Sequence, residues 1–143
     1  GPEWADSHGP RLESGFDVCA ALIEDLASRE YEDSGESWLE HVTLVGFSEF
    51  GRTALINSSG GRDHSLTHAC FLAGAGVAPG RVIGASSDTG MAPRNIDFAT
   101  GLPDEGGQTL YPENLFRALL KDIGVDDDVA DYRAEPLDAA LLG

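Results

Sequence analysis

An α/β fold with a mostly parallel central sheet and flanking helices is what this sequence predicts, and three observations carry the prediction. The run Val42-Thr43-Leu44-Val45-Gly46-Phe47 is continuously apolar and β-branched, as strands covered on both faces of a parallel sheet are. It stops abruptly at Ser48-Glu49-Phe50-Gly51-Arg52, and open α/β sheets place their ligands beyond the carboxyl ends of such strands. Apolar residues at three- and four-residue steps on either side of this region supply the flanking helices. The alternative is an α+β arrangement with the short strands antiparallel.

The chain opens with Glu3-Trp4-Ala5-Asp6-Ser7-His8-Gly9-Pro10, read as a short polar segment closed by a Gly-Pro breaker. In an extended backbone Asp6 and His8 would point to one face, a spacing that suits two ligands of one metal. A solvated, frayed terminus is the commoner meaning of such a segment. Gly1-Pro2 reads as the scar of a cleaved tag. From Leu12 to about Arg29, Leu12, Phe16, Cys19, Leu22, Ile23 and Leu26 form the stripe of an amphipathic helix, with Glu13, Asp17, Glu24 and Asp25 on its polar side.

A loop from Tyr31 to Glu40, tucked down by Trp38-Leu39, leads to His41 and the central run. A second polar knot follows it, Asn57-Ser58-Ser59-Gly60-Gly61-Arg62-Asp63-His64, in which two glycines permit a tight turn. Ala69 to Ala73 returns to the core, and Arg81-Val82-Ile83-Gly84 reads as another short strand. The glycines between them miss the dinucleotide-binding G-x-G-x-x-G spacing by one residue, so that reading is rejected.

Residues 86–107 read as mostly loop. Tyr111-Pro112 starts a helix with Leu115, Phe116, Leu119, Leu120 and Ile123 on its apolar face and Gly124 at its end. Asp126-Asp127-Asp128 lacks the alternating ligands and glycine of a calcium loop and reads as solvated, and the tail from Tyr132 reads as peripheral.

The length of 143 residues fits a single domain spanning 1–143, with enough chain to bury roughly 70% of its unfolded surface. With 9 basic and 25 acidic residues the net charge is −16, which argues against a nucleic-acid partner because no basic patch is left to displace counterions. No apolar run reaches the length of a membrane span. Cys19 and Cys70 have apolar neighbours and no metal-like spacing, so they read as buried thiols.

Taken together, Ser48-Glu49-Phe50-Gly51-Arg52-Thr53, Asn57, Gly60-Gly61-Arg62-Asp63-His64, Phe71 to Gly76 and Gly80 to Ala85 resemble the C-terminal part of the DUF1501 family, a domain of unknown function. Asp6-Ser7-His8 resembles its upstream Asp-Thr-His motif, and Tyr111 to Val125 its closing helix. That family is treated as a branch of the alkaline phosphatase and sulfatase superfamily, so the resemblance implies part of an alkaline-phosphatase-like fold. It also implies a metal-dependent hydrolase of phosphate or sulfate esters, with Asp6, His8, Glu49 and His64 as ligands of zinc, manganese or calcium. Arg52 and Arg62 would bind a small anionic ester in a bidentate manner. Asp63 and Asn57 would stand behind the ligands, Asp63 orienting His64.

The pattern departs from the superfamily at Phe50, which stands where a metal-binding His is common and whose ring cannot coordinate. The superfamily's nucleophile comes from an N-terminal half, so the expectation is half a site, inactive alone and completed by that half or by a homo-oligomer. Members of the family are often exported, so the resemblance implies an exported or periplasmic setting. The competing reading is a non-catalytic binding or structural module in which the same residues form a polar cluster that holds loops together, the commoner meaning of an Asp beside a His.

Overall fold

The computed structural model describes residues 3–125 and 134–142, with side chains from residue 6 onward. The chain divides into two compact units, Gly1–Ala75 and Gly76–Gly143.

In the first unit, helix α1 spans Glu3–Ser28. The expected frayed start is therefore helical, and the helix runs through Pro10, whose missing N–H removes one bond to the carbonyl four residues earlier. Leu26, at the other end, is buried. Beyond α1 the chain doubles back. Glu30 bridges to Ser37, the Trp38 N–H donates to the Arg29 carbonyl at 3.0 Å, and Trp38–Glu40 forms a 3₁₀ turn packed against α1. Glu40 closes that turn by accepting from the backbone N–H and hydroxyl of Ser37, and these bonds hold its carboxyl below the usual range. Tyr31 sits edge-on to Trp38 and stacks on His41, which reaches Glu36 at 2.8 Å.

Strand β1, Thr43–Phe47, pairs antiparallel with β4, Cys70–Gly74, so that Val45 faces Leu72 and Gly46 faces Phe71. The Phe71 ring occupies the space a side chain on Gly46 would need, so a larger residue there would require that ring to move. The segment between them forms a second, two-residue antiparallel ribbon, β2 (Gly51–Arg52) with β3 (His64–Ser65).

This corrects the expected fold. Among the described residues there are two small antiparallel sheets of two strands each and two α-helices, not a mostly parallel central sheet with flanking helices. The reason is local. A parallel neighbour needs a crossover, usually helical, whereas the chain after Phe47 is punctuated by Gly51, Gly60 and Gly61 and turns back on itself. The antiparallel alternative describes the strands correctly, and β1 itself is only half-buried, with Phe47 64% exposed.

The second unit holds helix α2, Pro112–Asp122, entered through a bond from the Tyr111 N–H to Asn114 Oδ1 at 2.8 Å. Gly124, at φ +74°, lets the chain leave while the Val125 N–H reaches back to the Leu120 carbonyl. The start and end expected for this helix hold, and Leu115, Phe116, Leu119 and Leu120 of its stripe are buried or half-buried, but Ile123 lies past the last helical residue and is exposed.

Arg81 to Gly84 does not form the expected strand, and Val82 is open to solvent. The core is built instead around Ile96 and Phe98, with Leu115 and Ala118 from α2. Ile96 exchanges two backbone hydrogen bonds with Gln108, both at 2.9 Å. The tail is not peripheral either. Leu137, Ala139 and Ala140 are buried in or beside the 3₁₀ turn Asp138–Ala140, and backbone bonds tie the segment to Ala78, Phe98 and Asn114. That role leaves no trace in the sequence, because three small or apolar side chains in and beside one turn are too few to show a period. Gly1-Pro2 and Asp126-Asp127-Asp128 lie outside the described residues.

Candidate functional site: the ribbon at Glu49 to His64

The two polar knots on either side of the ribbon form one structure. Gly51 approaches the Thr67 carbonyl so closely that a methyl group there would collide with it. Antiparallel pairing then sets Arg52 directly opposite His64, and directly paired residues project from the same face of a ribbon. Phe50 stacks on His64 with ring centroids 3.6 Å apart and planes 18° from parallel. The Arg52 guanidinium lies over the same Phe50 ring, 4.9 Å from its centroid, and Arg52 Nη1 donates to the Arg62 carbonyl at 3.0 Å. A cation, an aromatic ring and an imidazole are thereby gathered on two short strands, with Arg52 and His64 exposed.

The turn beyond them is held by its own side chains. Asn57 Oδ1 accepts from the N–H groups of Ser59 and Gly61, both at 3.0 Å, and Gly60 takes the positive φ of +74° that the turn requires. Asn57 Nδ2 donates to Asp63 Oδ1 at 2.7 Å. The Thr53 N–H donates to the Asp63 carbonyl, the Asp63 N–H returns to Thr53 Oγ1 at 3.2 Å, and Arg62 Nη1 donates to the Thr53 carbonyl at 3.1 Å. Asn57 and Asp63, expected behind the ligands, are thus joined to each other.

Glu49 is exposed next to Phe50, on a loop pinned by a bond from the Ser48 hydroxyl to the Phe50 carbonyl. Asp6 and His8 lie on α1. Residues two apart on a helix point about 200° away from each other, so the shared face that an extended backbone would give them is lost. Among the described residues no group of three or more His, Cys, Asp or Glu side chains gathers to hold a metal ion. Asp6, His8, Glu49 and His64 belong to no such group among the described residues, and no chemistry is routed through a metal here. Neither thiol is buried as expected, since Cys19 is half-buried and Cys70 exposed, although desolvation by its neighbours still pushes the Cys70 thiol up.

Phe50, read from sequence as a lost ligand, is the residue that organises the ribbon. Its signal was the alternation Phe50-x-Arg52, which puts ring and guanidinium on one side of a strand. In the second unit, a cleft of about 520 Å³ is lined by Gln108, Tyr111, Glu113, Asn114, Ala134 and Glu135, none of them a candidate from sequence.

No curated protein and no solved structure matches this chain. One family model does, described as a protein of unknown function, DUF1501, and it covers residues 6–134. That span includes the ribbon, the Asp6-Ser7-His8 segment and α2. The match extends over most of the sequence, and the chain belongs to the DUF1501 family.

Proposed function

We propose that the ribbon is a recognition surface for small phosphate or sulfate esters, and that the chain binds such an anion without turning it over by itself. The observation that carries this reading is the direct pairing of Arg52 with His64 over a shared Phe50 ring. Elsewhere the chain is strongly acidic, at −16 overall, so a local cationic face is a focused attractor for an anion. Arg52 has one guanidinium nitrogen bonded to the Arg62 carbonyl, and the rest of its planar fork suits a tetrahedral oxyanion. His64 adds a donor on the same face and a further charge when protonated.

The competing reading, a polar cluster that holds loops together, fits a different subset of the same residues. Asn57, Thr53, Arg62 and Asp63 bond mostly to one another and to local backbone, so they act as the clamp that keeps β2 against β3. The two readings are complementary: the clamp positions, and Arg52 with His64 engages the ligand. Hydrolase chemistry in this proposal requires groups beyond those gathered on the ribbon.

The test is calorimetric titration of the full chain with 4-nitrophenyl phosphate and 4-nitrophenyl sulfate, with a chelator present, alongside Arg52→Ala and His64→Ala. Binding weakened about tenfold by Arg52→Ala, with no release of nitrophenol, is the expected result. Binding indifferent to both substitutions would overturn the assignment of the surface, and turnover by the chelated chain would overturn the claim that it only binds.

A further inference from the structure

We infer that the exposed face of α1 is a docking surface for a basic amphipathic helix. At about 100° per residue, Leu12, Phe16, Cys19, Ile23 and Leu26 fall within about 80° of arc on the helix surface. The first unit covers only the later end of this stripe, where Leu26 is buried and Cys19 and Ile23 are half-buried. Toward the N-terminus Leu12 is 47% and Phe16 58% exposed, although Phe16 still meets Phe71 at a centroid distance of 6.3 Å. Leu22 and Val18, also exposed, widen the apolar face on one flank. An apolar helix face that begins covered and continues uncovered is the half of a packing interface that a second helix completes.

The other flank says which kind of helix. Asp6, Glu13, Asp17 and Glu24 fall within about 40° of one another, one carboxylate stripe beside the apolar one. Opposite charges alongside an apolar seam select partner and orientation in paired helices. A second copy of this chain would set carboxylate against carboxylate, with −16 on each copy. The charge complement is a helix with a leucine-like stripe flanked by Lys or Arg. This surface is independent of the ribbon, and neither proposal depends on the other.

The probe is a synthetic helical peptide with a leucine stripe flanked by lysines, compared with a twin carrying glutamates in place of the lysines. Both are labelled and titrated against the full chain by fluorescence anisotropy. The lysine peptide should bind at least about tenfold more tightly than its twin. Leu12→Ser with Phe16→Ser, at exposed positions, should reduce that binding about tenfold while circular dichroism stays unchanged. Glu13→Lys with Asp17→Lys should reverse the preference, and this second pair decides the matter if the first disturbs the helix. Equal binding of both peptides would overturn the inference by showing no charge selection, and binding that both variant pairs leave intact would overturn it by reducing it to general attraction toward an acidic protein. A dimer in sedimentation that Phe16→Ser dissolves would overturn it in favour of a second copy.

Discussion

The first unit holds the longer helix and both sheets, yet Leu26 is its one buried large apolar side chain among the described residues. The second unit has one short α-helix, a 3₁₀ turn and scattered bridges, and it buries Ala78, Ile96, Phe98, Leu115, Ala118, Leu137, Ala139 and Ala140. Regular secondary structure and a core are therefore separate achievements. Hydrogen-bonded ladders satisfy the backbone, but removal of apolar surface from water supplies most of the stability. A two-stranded sheet is marginal without a covering layer. The residues left over for recognition lie where burial is least.

The sharpest way to break this contrast is to remove comparable side chains from the two units. Ile96→Ala, at a position 1% exposed, should cost about 2–5 kcal/mol in urea unfolding, through lost burial and the cavity left behind. Phe16→Ala in α1 should cost under about 1 kcal/mol despite deleting more atoms, because that ring is already wet. Equal losses would erase the distinction.

Two glycines give a second matched pair. A methyl group at Gly107 would strike the Ile96 carbonyl at the centre of the second unit, and one at Gly51 would strike the Thr67 carbonyl beside the ribbon. Gly107→Ala should destabilise by about 1–3 kcal/mol. Gly51→Ala should leave the unfolding midpoint of the second unit in place while abolishing binding of an aryl phosphate, read by calorimetry.

Asn114→Ala probes the polar side of the second unit. Buried Asn114 donates to the Glu135 carbonyl at 2.8 Å and accepts from the Tyr111 N–H, so its loss strands both and should cost about 1–3 kcal/mol, measured by thermal melting.

The smallest effect is a pH dependence. Hydrogen bonds from the backbone N–H and the side chain of Thr100, and from the Ala99 N–H, hold the Asp97 carboxyl below its usual value. A depressed carboxyl stabilises the fold above its unfolded pKa, and that contribution is lost as pH falls through the folded one. Urea midpoints taken downward from about pH 5 should therefore fall less steeply in Asp97→Asn than in the parent chain.

Much of the helical structure was legible in the sequence. The stripes of α1 and α2 and the glycine at Gly124 mark their elements through periodicity and backbone preference, which act locally. The sheet was not legible in the same way. An apolar run such as Val42 to Phe47 states that a strand wants cover but not which neighbour supplies it, and the answer lay in glycines that fold the following segment back.

At the site, the residues from Glu49 to His64 were found by composition, and their roles were not. Asp63 bonds to Asn57, Phe50 stacks on His64, and Asp6 diverges from His8 because the backbone there is helical. Pairings of that kind depend on side-chain direction, which spacing alone fixes only once the backbone conformation is known. The core contribution of Leu137, Ala139 and Ala140 escaped for the same reason, since one 3₁₀ turn is too short to show a period.

Native-state hydrogen exchange on the full chain separates the two units most directly. The amides of Ile96 and Gln108 should exchange slowest, and the hydrogen-bonded amides of β1 and β4 at least about tenfold faster, because opening them exposes little additional apolar surface. Protection in β1 and β4 equal to that at Ile96 would contradict the division of labour between a unit that supplies the core and a unit that presents its surface.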